Sequence, residues 1–224
     1  KLLPSDLSLR DEKETAVCGV LRSRAPEPPR SLVCIKSGST VLGFGARVRV
    51  GRDDFLLTAH HVWNGPTAPD ALASRGKAVK IGPWPVRYSC EDKLLDFALI
   101  EVPRGVWAGL GTTVAPLQPL TSTTQVTVYG GLSSEEVFSS TARAMLMEKR
   151  LDIDHFASTS AGWSGTPLYH KDCVVGLHLG TRTLAQSNRA SNIGLLVPLL
   201  LKQASNETSF SEVNFVEIDE EDVS

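Results

Sequence analysis

The apolar residues of this chain come in short runs cut apart by glycine and proline, and that spacing most limits what it can fold into. Eighteen glycines and thirteen prolines are scattered through 224 residues. Between them lie stretches such as Ser31-Leu-Val-Cys-Ile35 and Gln125-Val-Thr-Val-Tyr129, which have the length and composition of strands. From Val41 to Val50, Ala46, Val48 and Val50 alternate with Arg47 and Arg49, so one face is buried and the other lies in water. Gly43 and Gly45 interrupt that strand and predict a bend or bulge, as a barrel corner needs. The expectation is an all-β protein. No apolar stretch reaches the roughly 18 residues of a membrane helix.

In chain order, residues 1–14 read as a polar extension with no signal-peptide core, so the chain reads as a soluble piece of something longer. Strands are expected at Ala16–Leu21, Ser31–Ile35, Val41–Val50, Asp54–Thr58, near Ala78–Ile81, at Val86–Cys90 and from Leu94 to Val102. A loop fills Asn64 to Gly76. Residues 107–123, rich in Gly, Pro and Thr, read as a linker. The second half offers strands at Gln125–Tyr129, Val137–Phe138, Ala142–Met147, Ile153–Ala157, Thr166–Tyr169, Cys173–Gly180 and Ser191–Val197. A closing helix follows at Pro198–Ala204, with Pro198 in its first turn. Two sets of roughly six strands predict two antiparallel barrels, residues 15–106 and 124–205, with a cleft at their junction. Residues 206–224 form an acidic tail.

The formal charge of −2 excludes a bulk affinity for polyanions. Cys18, Cys34, Cys90 and Cys173 lie far apart with no Cys-x-x-Cys pair. Reduced, buried thiols are expected, with no metal site and no cofactor.

The chemistry concentrates around Ser164. A nucleophilic serine needs an exposed oxygen on a tight turn and backbone N–H groups to hold the oxyanion that forms on attack. Gly162 lets the chain turn so that its own N–H and that of Ser164 point into one hole, and Gly165 leaves room for substrate. A base is available upstream, where the apolar strand Asp54–Thr58 delivers His60 and His61. Asp96 heads another apolar strand, where a carboxylate is costly unless paired, and a histidine N–H is a fitting partner. Histidine, aspartate and serine thus occur in the chain order of the chymotrypsin triad.

The stretch Leu57-Thr-Ala-His-His-Val62 resembles the Thr-Ala-Ala-His segment of chymotrypsin-like proteases and selects His61 rather than His60 as the base. Asp96-Phe-Ala-Leu-Ile100 resembles their aspartate strand, and Gly162-Trp-Ser-Gly-Thr-Pro167 their Gly-Asp-Ser-Gly-Gly-Pro signature. Trp163 in the aspartate position, with Val175-Gly-Leu-His-Leu-Gly-Thr181, is similar to the polyprotein-processing serine proteases of sobemoviruses, with polerovirus enzymes next. The resemblance covers roughly residues 15–205. It implies a chymotrypsin-like double six-stranded antiparallel β-barrel with a short C-terminal helix. It further implies a triad of His61, Asp96 and Ser164, with the oxyanion held by Gly162 and Ser164. His178, Thr159 and Asn188 match the family's pocket for a Glu or Gln side chain before the cut. An imidazole N–H, a hydroxyl and an amide N–H can bind a carboxylate or amide oxygen without an opposing buried charge. Arg189 would add positive potential if turned inward. The implied substrate is a viral polyprotein, and the implied partner is a downstream genome-linked protein beginning at a Glu207–Thr208 junction. The implied setting is the host cytoplasm, membrane-associated through the uncleaved polyprotein. Two rival readings remain open on the sequence. One is a cellular HtrA-type protease domain, the other an inactive double barrel that binds partners or carries the genome-linked protein.

Overall fold

Tight turns build the N-terminal half. In the computed structural model, which describes residues 23–25, 27–93, 95–147, 151–160, 162–182 and 187–206, β2 (Leu32–Ser37) turns through Gly38 into β3 (Thr40–Val50). Gly51 then turns β3 into β4 (Asp53–Ala59). Both glycines have positive φ, 58° and 63°, which other residues adopt only at a cost. The one-turn helix α1 (His60–Trp63) follows, then β5 (Ala71–Ser74), β6 (Lys77–Lys80), β7 (Val86–Cys90) and β8 (Phe97–Ile100). The strands pair in the order β6-β5-β2-β3-β4-β8-β7, and β9 (Ala115–Pro116) adds in parallel to β3. The alternation expected in β3 holds, with Ala46 and Val48 fully buried and Arg49 exposed. The bulge expected there is present: Ile35 pairs with Gly43 and Lys36 with Val41, so Leu42, next to Gly43, is the extra residue on β3. Gly43 and Gly45 are needed for close packing as well. A Cβ on Gly45 would sit 2.4 Å from the Leu57 carbonyl oxygen.

The second half closes on itself. Strands β10 (Thr124–Gly131), β11 (Val137–Leu146), β12 (Asp152–His155), β13 (Pro167–His170), β14 (Cys173–Arg182) and β15 (Ser187–Ser191) pair in the order β11-β10-β13-β14-β15-β12. Strand β12 then meets β11 again at Ala144↔His155, making a closed six-stranded antiparallel barrel. The short β1 (Ser23–Arg24) pairs with β11 and so lies on this second sheet. The all-β expectation with two sheets and a terminal helix holds, and strand pairing closes the ring in the C-terminal unit.

Three local readings differ. Residues 71–74, inside the expected loop, form β5. The helix α2 (Arg104–Leu110) runs into the expected linker, buries Trp107 and Leu110 and ends at Gly111 in the left-handed region. The expected last strand, Ser191–Val197, splits. Its N-terminal end finishes β15, and the rest opens the closing helix α3 (Ile193–Asn206), with Pro198 inside it. Asn192 causes the switch. Its carbonyl accepts the N–H groups of Leu195 and Leu196, while its side chain grips both polar groups of the Leu120 backbone, at 3.0 and 3.1 Å. Pro198 then removes one N–H from the helix ladder. The helix is held by packing: Ile193, Leu196, Val197 and Leu200 share one core with Phe55, Leu57 and Leu99 of the first sheet and Val174 and Leu177 of the second. Each such side chain contributes about 1.5–3 kcal/mol on burial. Cys34 and Cys90 are buried free thiols, raised by desolvation to about 12 and about 11, and Cys173 is half-buried. The expected strand at Ala16–Leu21, Cys18 and the acidic tail lie outside the described residues.

Replacing Asn192 by Ala strands a buried N–H and carbonyl on Leu120. The expected loss is about 2–3 kcal/mol, seen as a fall in Tm of roughly 5–10 °C by differential scanning calorimetry.

Candidate active site

The pairing of β4 with β8 places a base beside its carboxylate. Ala59 lies opposite Phe97, so the residues that follow one strand and precede the other are neighbours. The chain leaves β4 into α1, and the His60 N–H donates to the Asp96 carbonyl at 3.1 Å. The His61 N–H donates to Asp96 Oδ1 at 3.0 Å, and Asp96 Oδ2 accepts from His61 Nδ1. One carboxylate thus fixes both the backbone and the ring of His61. Asp96 reaches this position with φ +36°, a conformation costing about 1–3 kcal/mol for a residue other than glycine. Those hydrogen bonds offset the strain. The two histidines separate clearly, because the His60 ring turns to Ser89 Oγ at 2.8 Å and Asn64 Nδ2 at 3.2 Å. A hollow of about 190 Å³, lined by Leu42, His61, Val62, Gly65, Pro66 and Thr67, opens beside His61.

The serine turn is clamped from both sheets. The Ser164 carbonyl accepts the N–H of Phe44 in β3 at 3.0 Å, and the Gly165 N–H donates to the His178 carbonyl in β14 at 3.1 Å. Gly162 and Gly165 have φ +89° and +77°. At Gly165 a Cβ would also lie 2.6 Å from both the Phe44 carbonyl oxygen and Thr58 Oγ1, and 2.8 Å from the Ala59 nitrogen. The turn therefore presses against the end of β4, next to α1. Gly43 completes the fit, since a Cβ there would meet the Ser164 carbonyl oxygen at 2.5 Å and the side chain of Val62 within 3 Å. Trp163 anchors the turn from below. It is 2% exposed and lies flat enough on Gly130 that a Cβ there would enter its ring. An aspartate could not take that apolar place, which accounts for tryptophan at this position.

The three pocket candidates are fully buried in the second barrel. His178, Thr159 and Asn188 have no exposed surface. Thr181, across from Asn188 in the β14–β15 ladder, donates to Asn188 Oδ1 at 3.2 Å, and Asn188 Nδ2 donates to the Ala157 carbonyl at 2.8 Å. Asn188 thus holds the segment that carries Thr159. The Thr159 hydroxyl has no hydrogen-bond partner among the described residues. Arg189 points to the other face of β15, where it bonds the Lys93 carbonyl and sits 3.7 Å from Asp152. It is not a pocket cation in this structure. His155, which sequence reasoning passed over, is fully buried with its Nε2 3.0 Å from Nδ1 of His178. The signal was present: Ile153 and His155 alternate with two aspartates, which turns a histidine inward. Glu207 and Thr208 lie outside the described residues. Among the described residues, no three His, Cys, Asp or Glu side chains gather as a metal site would need, and no helix is long and apolar enough to cross a membrane.

No protein-family model matches the chain. It is 41% identical over 212 residues to a polyprotein of Southern bean mosaic virus, an alignment covering 94% of this chain and 36% of that polyprotein. The chain therefore spans about a third of the curated relatives it matches. The crystal structure of the serine protease domain of Sesbania mosaic virus polyprotein superposes with a TM-score of 0.73 at 39% identity, covering 84% of this chain and 98% of that domain. The chain belongs to the sobemovirus polyprotein serine proteases. This protease domain is accordingly a chymotrypsin-like serine endopeptidase. A second structure, from work on the coupled folding and binding of the intrinsically disordered Sesbania mosaic virus VPg protein, matches with a TM-score of 0.75 at 40% identity, over 79% of this chain and 95% of that one.

His61→Ala is expected to lower turnover by about 10⁴-fold or more, while His60→Ala keeps most of it. Peptide cleavage assays, with circular dichroism to verify folding, check this. Equal loss in both variants would contradict the assignment of His61.

Proposed function

We propose that this protease domain cuts its own polyprotein after Glu, or Gln, and before a small residue, with His61, Asp96 and Ser164 as the working triad. In the attack step the Ser164 oxygen adds to the scissile carbonyl while His61 Nε2 takes its proton. Asp96 holds the His61 ring through Nδ1 and stabilises the imidazolium. The N–H groups of Gly162 and Ser164 bind the oxyanion, each contributing about 3–4 kcal/mol to the barrier difference. His61 then protonates the leaving amine, and water repeats the sequence on the acyl-enzyme.

One observation carries the specificity. The buried wall beside the serine turn holds an imidazole and a hydroxyl with no acidic side chain among them, and the Thr159 hydroxyl has no partner of its own among the described residues. A buried unpaired hydroxyl is costly, and a substrate oxygen would satisfy it. His178 is tied to the turn as well, since its N–H and carbonyl both bond residues 165–166. A basic or aromatic side chain would find neither a counter-charge nor an apolar slot there. Asn188 serves this reading by fixing the 157–160 segment, with its remaining amide hydrogen as a third donor. The genome-linked protein is the proposed neighbour released by cleavage, with Glu207–Thr208 as the junction. Support comes from the VPg work on the Sesbania mosaic virus relative and from 29% identity to a genome-linked protein precursor of Poinsettia latent virus.

His178→Leu should cut kcat/KM about 100-fold for a peptide with Glu before the cut and only a few-fold for one with Leu there. A substrate library that prefers Arg, Lys or large aromatics would overturn the pocket. The junction is tested by mass: active protein should lose residues 208–224 while Ser164→Ala stays whole. Loss from neither overturns that site.

A further inference from the structure

We propose that an arginine-lined cleft, at the end of the first sheet far from the triad, holds an acidic peptide segment, and that this segment is the chain's own Glu217-Ile-Asp-Glu-Glu-Asp222. Strand register makes the cleft. Leu56 of β4 and Val86 of β7 both lie opposite Ile100 of β8, so the starts of β4 and β7 gather beside the exit of β8 into α2. His61 follows the other end of β4, and Asp96 precedes the other end of β8. The seven residues of β4 put about 20 Å between the cleft and the base.

The cleft has a volume of about 420 Å³, and Arg49, Arg52, Arg87 and Arg104 line it together with Asp53, Asp54 and Glu101. Asp54 is already occupied. Arg47 and Arg49 bond it at 2.7 and 2.9 Å, and the Arg47 guanidinium lies 5.3 Å from the centre of the Trp107 ring, itself part of the wall. Arg52 and Arg104 are exposed and enter no ion pair among the described residues. An arginine presents a planar fork of N–H donors that fits a carboxylate or a phosphate. Asp53 and Glu101 decide between the two. A nucleic acid carries a charge at every nucleotide and would set phosphates against those carboxylates. A peptide brings a backbone N–H beside each carboxylate and can meet both signs of the lining.

Charge along the chain points to the source. Residues 207–224 hold seven of the 25 acidic side chains and none of the 23 basic ones, so residues 1–206 carry 23 positive charges against 18 negative. Five of the seven fall within Glu217–Asp222. One exposed ion pair contributes under about 1 kcal/mol, whereas several carboxylates facing several arginines act as a network. The segment is also within reach. The helix α3, which ends at Asn206, packs Leu200 into one core with Phe55, another wall of the cleft. From Asn206 to Glu217 the chain spans at most about 40 Å.

Phenylglyoxal, which modifies arginine side chains, tests this on the full chain carrying Ser164→Ala, so that the segment stays attached. Rates at single arginines, read by peptide mass mapping, are compared with those of a neutralised chain that adds Glu217→Gln, Asp219→Asn, Glu220→Gln, Glu221→Gln and Asp222→Asn. Arg52 and Arg104 should react about five-fold more slowly with the acidic segment than without it, the ratio expected for a millimolar effective concentration and a dissociation constant a few times smaller. Arg143, exposed on β11 of the second sheet, should react at the same rate in both. The protection should vanish near about 1 M salt. A synthetic peptide of residues 212–224 should restore it in the neutralised chain, and a single-stranded oligonucleotide of equal charge should not. Equal rates at Arg52 and Arg104 in the two chains, equal protection of Arg143, protection that survives the salt, or no restoration by the peptide would each overturn the docking. Protection by the oligonucleotide alone would assign the cleft to nucleic acid and overturn it as well.

Discussion

The active centre depends on how closely the serine turn can approach the N-terminal sheet. A single hydrogen bond, from the Phe44 N–H to the Ser164 carbonyl, marks the contact. Gly43 and Gly165 make it possible, because a Cβ on either would collide with backbone across the seam. Thr58 sits in the same place, its hydroxyl bonded to the Phe44 carbonyl at 2.8 Å. The strand that ends in this contact continues directly into α1 and His61, so distance between the two sheets is converted into distance between base and nucleophile. Errors of an ångström here matter, since catalysis needs the reacting groups preplaced. The helix α3 and the Asn192–Leu120 clamp serve the same end from the far side, holding both sheets in one core.

Two kinds of polar burial then divide the work. On the first sheet, Asp96 accepts hydrogen bonds from the backbone and ring of His61, with strain in its own backbone. On the second barrel, His155, His178, Thr159 and Asn188 are all fully buried, with no carboxylate among them. A charged wall would require a counter-ion before substrate arrives. On the proposed Glu/Gln reading, a wall without a carboxylate needs only to leave donors aimed inward, and a substrate oxygen would repay the cost of leaving them. Trp163 belongs to the core of the second barrel, filling with apolar surface a position where an aspartate is the more familiar neighbour of the serine.

Much of this was legible in the residues. The alternation in β3, the apolar strand before His61 and the glycines flanking Ser164 each express a period or a φ requirement, and these survive folding unchanged. The choice of His61 over His60 was legible only through likeness to known proteases, because both histidines follow the same strand. Only the partners separate them, Asp96 for one and Ser89 for the other. The boundary at residues 191–193 was not legible, because Leu195 and Val197 suit either a strand or a helix. The decision falls to Asn192 and to packing partners in both sheets, which are distant in sequence. The bulge beside Gly43 was legible, but its second role was not, for a related reason. Its glycine character also answers to Ser164 and Val62 across the seam, which its own strand does not announce. The alternation with Asp152 and Asp154 turns His155 inward, but its partner His178 lies on a strand distant in sequence, so their pairing was not legible.

The central claim is that the seam makes Ser164 a nucleophile beside a pocket shaped for a glutamate side chain. Reaction of the protein with an aryl fluorophosphonate, followed by peptide mass mapping, tests it most directly, with the rate measured in the presence of a peptide ending in Glu and again with one ending in Lys. The account predicts one adduct, on Ser164, formed more slowly with the Glu peptide and at an unchanged rate with the Lys peptide. An adduct on another residue, no adduct on folded protein, or protection by the Lys peptide alone would contradict it.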